Sequence, residues 1–184
     1  MRWMADPADS DEALMRRYAL GDVAAFDVLY RRHEMRVWRY LERNIGNRAT
    51  ADELMQEVWF AVARDAARYV PSARFTTWLF TIAHHRVIDS VRTRRWETSL
   101  DPDTLIADPR CGPLAEAIST DQARAVLGAV SQLPEEQRDA FLLQIEGDLG
   151  IEEIAAITAS SFETTKSRLR YARTKLRELL KEHA

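Results

Sequence analysis

The residues of this chain best suited to chemistry lie near its end, between Gly150 and Arg177. Ile151, Ile154 and Ala155 fall at helical spacing, with Glu152 and Glu153 near the positive end of that short helix. Thr158-Ala159-Ser160-Ser161 breaks the pattern, and a serine there suits the cap of a following helix. That next helix sets Lys166, Arg168, Arg170, Arg173, Lys175 and Arg177 against an apolar side of Leu169, Ala172, Leu176, Leu179 and Leu180. A short helix, a tight turn and a basic helix make a helix-turn-helix. Its cations would neutralise phosphates, while side chains near the start of the second helix would reach base edges in the major groove. Charge alone would equally describe a solvated amphipathic face. The Glu-Ile-Ala core, the turn and the run Thr164-Thr165-Lys166-Ser167-Arg168 favour DNA.

A second constellation lies mid-chain. Residues from Ala73 to Trp96 read as one long helix, apolar on nearly every side at Phe75, Trp78, Leu79, Phe80, Ile82 and Ala83. A polar stripe of Thr77, Thr81, His85, Asp89 and Arg92 shares one face, and the helix ends in Arg92-Thr93-Arg94-Arg95-Trp96. Aromatics beside a basic, hydroxyl-bearing surface suit stacking on unpaired bases, although most of these rings serve equally well as core. His84, His85 and Asp89 raise catalysis or metal binding, but no third ligand or nucleophile stands with them. His33 reads as an ordinary surface or boundary residue.

These helices need others to position them. Asp9 with Glu12 forms a capping-box pattern ahead of Ala13-Leu14-Met15, and Gly21-Asp22 divides that helix from one spanning Val23 to Ile45, stopped by Gly46-Asn47. Thr50 with Glu53 forms another capping box, opening a helix to about Arg68. Its polar face carries Asp52, Glu53, Gln56 and Glu57, for which solubility and the helix dipole would suffice. From Glu97 to Thr120, Asp-Pro and Gly-Pro steps in an acidic run read as a linker. Beyond it come a helix from Asp121 to Val130, a helix begun at Pro134 and capped by Gly147, and the helix-turn-helix.

The whole is 184 residues with a net charge of -3 and a single cysteine, Cys111. One cysteine excludes an internal disulfide and a cysteine-rich zinc site. No apolar run approaches the roughly 20 residues of a membrane span, and the N-terminus lacks a signal-peptide core. A cytoplasmic protein is expected. A protein that binds duplex alone usually carries positive charge. The acidic balance therefore implies either a minor DNA contact or a partner that supplies positive surface.

Taken together the motifs resemble the extracytoplasmic-function (ECF) sigma factors of bacterial RNA polymerase, from Phe26 to Leu180. The resemblance rests on Phe26-x-x-Leu29-Tyr30, on Ala51-Asp52-Glu53-Leu54-Met55-Gln56-Glu57-Val58-Trp59, on Phe75-x-x-Trp78-Leu79-Phe80-x-Ile82-Ala83 with Asp89-x-x-Arg92, and on Leu133-Pro134, Arg138, Glu153-Ile154-Ala155 and Thr164 to Leu169. It implies an all-α fold of two small domains, 1–96 and 121–184, joined by an acidic linker over 97–120. It implies a non-enzymatic initiation factor with no cofactor, metal or small-molecule substrate, whose partners are core polymerase (beta-prime clamp helices and beta subunit) and promoter DNA. Asp52, Glu53, Leu54, Gln56 and Glu57 would dock on polymerase. Trp78, Thr81, His85, Asp89, Arg92, Arg94 and Arg95 would engage the minus-ten element. Ser161, Thr164, Lys166, Ser167, Arg168, Arg170, Tyr171 and Arg173 would read the minus-thirty-five element. Such proteins are typically held inactive by an anti-sigma factor, often membrane-bound.

The chain departs from that pattern near its DNA-facing positions. Ala159 stands where glycine is common in the turn, Thr165 where valine is preferred, and Tyr171 in place of an arginine. Phe162-Glu163 replaces a small residue and glycine, and His85 an asparagine. Promoter sequence therefore does not follow by analogy. A plain helix-turn-helix regulator would leave the Asp52–Trp59 helix and the Trp78 region unexplained, and a helical adaptor would show no salt-dependent DNA affinity.

Overall fold

Several helices begin where a side chain accepts one of the amide protons that a first turn leaves free. The computed structural model describes residues 10–100 and 121–181. Helix α1 (Asp11–Ala19) is capped by Ser10, whose Oγ accepts from the Ala13 amide at 3.1 Å. The cap expected at Asp9 lies outside the described residues. Glu12, expected to close a capping box on α1, instead reaches across the chain and accepts from the Phe75 amide at 2.8 Å. That bond serves the start of α4 (Phe75–Leu100), which begins two residues later and ends four later than the pattern suggested.

Helix α2 (Val23–Ile45) is capped by Asp22 and ends at Gly46, whose left-handed φ of 69° only glycine adopts freely. Helix α3 (Arg48–Asp65) is capped by Asn47 rather than Thr50, the Asn47 Oδ1 accepting from the Thr50 amide at 3.0 Å. Asparagine, threonine and aspartate all serve as caps, and the first in the chain takes the role. A 3-10 turn (Ala66–Arg68) follows. After the linker come α5 (Asp121–Ser131), α6 (Glu135–Gly147), α7 (Ile151–Ile157) and α8 (Phe162–Lys181). Pro134 opens α6 as expected, but its end is set by Asp148, at φ 53°, and not by Gly147. Gly147 is needed for closeness: a Cβ there would meet the Leu149 side chain at 2.8 Å and Phe80 at 3.4 Å. Cys111 and the linker from 101 to 120 lie outside the described residues.

The fold is all-α, with two helical units whose cores touch. Met15, Leu29, Tyr40, Leu41, Phe75, Leu79 and Phe80 are fully buried in the first, and Leu142, Leu143, Ile154 and Leu169 in the second. Burial of each such side chain contributes about 1.5–3 kcal/mol. Between the units runs a polar seam. The Tyr40 hydroxyl donates to Asp139 Oδ1 at 2.6 Å, and His84 Nδ1 lies 3.0 Å from Asp139 Oδ2. Arg39 and Arg43 both reach Glu146, at 2.9 and 2.5 Å. Arg138 donates to the Asn44 carbonyl, Arg74 to the Asp148 carbonyl, and the Thr77 hydroxyl to Glu153. Burial, together with the Asp139 carboxylate, pushes the Tyr40 phenol well above its ordinary range.

Replacing Glu12 with alanine strips the Phe75 amide of its acceptor. Loss of a cap costs about 1 kcal/mol, so thermal denaturation should show a midpoint lower by about 2–4 °C. Glu12→Gln, which keeps an acceptor, should recover most of it.

Candidate nucleic-acid interface

Three surfaces follow from this frame. On α3, Asp52, Glu53, Gln56 and Glu57 are all exposed along one side. Asp52 is fixed in direction, its Oδ1 accepting from the Trp38 indole at 2.7 Å, and Glu57 lies 3.5 Å from Arg86 on α4. Leu54, expected among the docking residues, is buried and packs inward. Phe60, one turn beyond Gln56, stands 70% exposed on the same side, and sequence reasoning missed it. Its spacing of four from Gln56 and eight from Asp52 was the available signal. A groove of about 400 Å³ joins α3 to α4, lined by Thr50, Glu53 and Glu57 on one wall and Arg86, Asp89 and Thr93 on the other.

Along α4 the expected stripe divides. His85, Asp89 and Arg92 are exposed, and Asp89 accepts from Arg92 at 3.2 Å. Thr81 is half-buried, its hydroxyl turned back to the Thr77 carbonyl at 2.7 Å. Trp78 is half-buried, with Tyr69 and Phe75 at ring separations of 5.1 and 6.0 Å. Arg94 donates to the Ile45 carbonyl at 3.3 Å, tying the basic end of α4 to the end of α2. The Arg95 side chain lies outside the described residues. Trp96, absent from the expected contacts, is 68% exposed beside this basic end, and an exposed indole there suits stacking on a base.

The histidines separate. His84 is buried against Asp139, whereas His85 faces solvent. Among the described residues no group of three His, Cys, Asp or Glu side chains could hold a metal. His33 is buried rather than superficial, with Nε2 2.7 Å from Asp11. Burial raises the Asp11 carboxyl, but His33 and Arg32 outweigh it and hold the group below its usual range.

Helices α7 and α8 form the expected helix-turn-helix. Ala159 accepts the strain of a left-handed φ of 48°, and the Ser160 amide closes the turn on the Ala155 carbonyl at 3.0 Å. The inward hydroxyl of Thr165 is satisfied. It meets Ser160 Oγ at 2.7 Å, which meets Thr158 Oγ at 2.9 Å, and that hydroxyl donates to the Ile154 carbonyl. Ser161 caps α8 through the Thr164 amide at 3.1 Å. Lys166, Arg170 and Tyr171 are exposed, with the Arg170 guanidinium 5.0 Å over the Tyr171 ring, and Ser167 is half-buried. Arg168 and Arg173 are drawn back toward α6 instead, to Glu136 at 2.5 Å and Gln144 at 2.6 Å.

Residues 29–97 match Sigma-70 region 2, and residues 123–176 match Sigma-70, region 4. The ECF RNA polymerase sigma factor RpoE of Cereibacter sphaeroides is 35% identical over 181 residues, covering 95% of this chain and 98% of that protein. The RNA polymerase sigma factor CarQ of Myxococcus xanthus is 34% identical, covering 91% and 96%. The chain belongs to the ECF sigma factors. Its function is transcription initiation, the direction of RNA polymerase to promoters, and it has no enzymatic activity of its own. Among solved structures, this sigma factor resembles RpoE of Bartonella quintana crystallised with the anti-sigma factor NepR, at TM-score 0.68 and 26% identity, covering 79% of this chain and 89% of that one. CnrH bound to the cytosolic domain of CnrY shares the fold at TM-score 0.68 and 22% identity, covering 95% and 99%. No helix among the described residues is long and apolar enough to cross a membrane.

Ala159→Gly removes the left-handed penalty, about 1–2 kcal/mol, against a smaller entropic cost of glycine. Denaturation should show this sigma factor stabilised by about 1 kcal/mol net, with its far-ultraviolet spectrum unchanged.

Proposed function

We propose that the sigma factor divides its work among three helices. Helix α3 docks on the beta-prime clamp helices of core polymerase through Asp52, Glu53, Gln56 and Glu57. The exposed residues of α4, His85, Asp89, Arg92 and the basic end with Trp96, hold the opened minus-ten strand. Helix α8 enters the major groove at the minus-thirty-five element with Ser161, Thr164, Lys166, Ser167 and Arg170. The observation that carries this reading is the pairing of an exposed acidic face on α3 with an exposed basic start on α8 in a chain of net charge -3. Phosphate neutralisation dominates duplex affinity, so an acidic sigma factor needs the positive surface of polymerase to hold a promoter.

An anti-sigma factor is the proposed antagonist, supported by the two solved relatives whose partners are NepR and CnrY. It would keep the protein in the cytoplasm or, where that factor is anchored, at the membrane. The unit boundaries proposed are residues up to about Leu100 for polymerase and minus-ten contacts, and from Asp121 onward for minus-thirty-five recognition. Arg168 and Arg173, committed to α6, would serve to orient α8 and not to read bases.

Two variants separate the surfaces. Asp52→Ala, Glu53→Ala and Gln56→Ala together should weaken co-elution with core polymerase at least tenfold with folding unchanged; undiminished affinity removes α3 as the docking face. Lys166→Glu with Arg170→Glu should abolish promoter-specific transcription while core binding persists. Retained specificity would remove α8 as the reader.

A further inference from the structure

Glu146 is a carboxylate where an anion from another molecule would be equally at home. It is 4% exposed, and two guanidiniums one turn apart on α2 converge on it. Arg39 donates through Nε at 3.0 Å and holds Oε2 through Nη2 at 2.9 Å, while Arg43 Nη1 donates to Oε1 at 2.5 Å. The Arg43 Nε is buried with no hydrogen-bond partner. The carboxylate thus leaves a buried Arg43 donor without an acceptor; the larger oxygen set of a phosphate suits a pair of guanidinium forks better. Arg94, at the basic end of α4, donates to the Ile45 carbonyl two residues past Arg43, so the site adjoins the proposed minus-ten surface.

The closed arrangement cannot serve a promoter. The minus-ten and minus-thirty-five elements are separated by roughly 25 base pairs, or about 85 Å at the rise of B-form DNA, whereas α4 touches α6 and α7 directly through His84–Asp139 and Thr77–Glu153. Residues 101–120 can span at most about 70 Å, enough for wide separation. Opening removes Glu146 from Arg39 and Arg43.

We propose that Arg39 and Arg43 form a DNA-phosphate site, filled by Glu146 while the two units are closed and by a backbone phosphate of promoter DNA once they open. Glu146 is therefore a phosphate mimic built into α6, competing with DNA within the same chain. The seam suits this exchange. Charges buried in pairs stabilise weakly because each has lost its hydration, and separation returns that hydration to Arg39, Arg43 and Glu146 alike. The proposal rests on the promoter-binding reading above.

Since phosphate contacts are sequence-independent, the test needs no known promoter. Fluorescence anisotropy of a short random-sequence duplex would be measured with the free full-length protein across a salt series, alongside small-angle scattering. Glu146→Gln should expand the particle, raise duplex affinity about tenfold and steepen the salt dependence by about two released counterions. Adding Arg39→Gln and Arg43→Gln should keep the expansion and return affinity and slope to the original values. If Glu146→Gln stays closed, Glu146→Ala, which leaves both buried guanidiniums without an acceptor and adds no charge of its own, supplies the open form for the same comparison. An open variant without gain in affinity, or a gain that survives loss of both arginines, overturns the proposal. So would loss of core-polymerase binding in the arginine variant with an unchanged salt slope, because the pair would then serve a protein contact. Co-elution of the unaltered protein with core polymerase, run in parallel, tests the polymerase reading separately.

Discussion

Two carboxylates, Asp139 and Glu146, lie buried on α6 with their partners supplied by the other half of the chain. Their pairing is the constraint that most governs how the two units sit together. Buried at the seam without those partners, each would be a charge stripped of water without compensation, which proteins tolerate poorly. Tyr40 and His84 give Asp139 its hydrogen-bond partners, and Arg39 and Arg43 neutralise Glu146. The closed form is thus conditional, because its polar groups are satisfied either across the seam or by water, and by nothing between. Apolar contact accompanies these pairs: the buried side chains of the two units form one continuous core, and Phe80 of the first lies close to Gly147 at the end of α6. A factor that must straddle two distant promoter elements requires this seam to separate.

The surfaces that face outward are arranged by the caps that face inward. Asn47 starts α3 so that Asp52 and Gln56 share one exposed side, and the Trp38 indole then fixes Asp52. Ser161 starts α8, and the hydroxyl chain through Thr165, Ser160 and Thr158 locks the turn before it. That chain resolves an apparent defect, a threonine at a fully buried position, by giving its hydroxyl a partner. Arg168 and Arg173 brace α8 on α6 at Glu136 and Gln144, leaving Lys166 and Arg170 to project. Direction of charge in this protein is set by which cations the fold has already used.

Local features were legible in the sequence for physical reasons. The basic stripe of α8, the glycine at position 46 and the proline before α6 each act within a turn or two, where spacing determines contact. The family motifs located both units. Long-range pairs were not legible. Nothing about Glu12 distinguishes a cap for its own helix from a cap for one that starts 63 residues later, and the same holds for Tyr40 and Asp139, 99 residues apart. His33 looked superficial because its partner, Asp11, lies on another helix, and Gly147 looked like a helix stop when its missing Cβ was what mattered. Where several capping residues stood in a row, pattern could not choose among them: α3 begins at Asn47 and not Thr50, and α8 at Ser161 and not Ser160.

The central claim is that the closed form is the resting state and must open for initiation. The most direct measurement is energy transfer between dyes on single cysteines at Ala67 and Lys175, both exposed, with Cys111 replaced by serine. High transfer in the free protein, falling when core polymerase and promoter DNA are added, is the predicted result. Equal transfer in the free protein and in a transcribing complex would contradict the account.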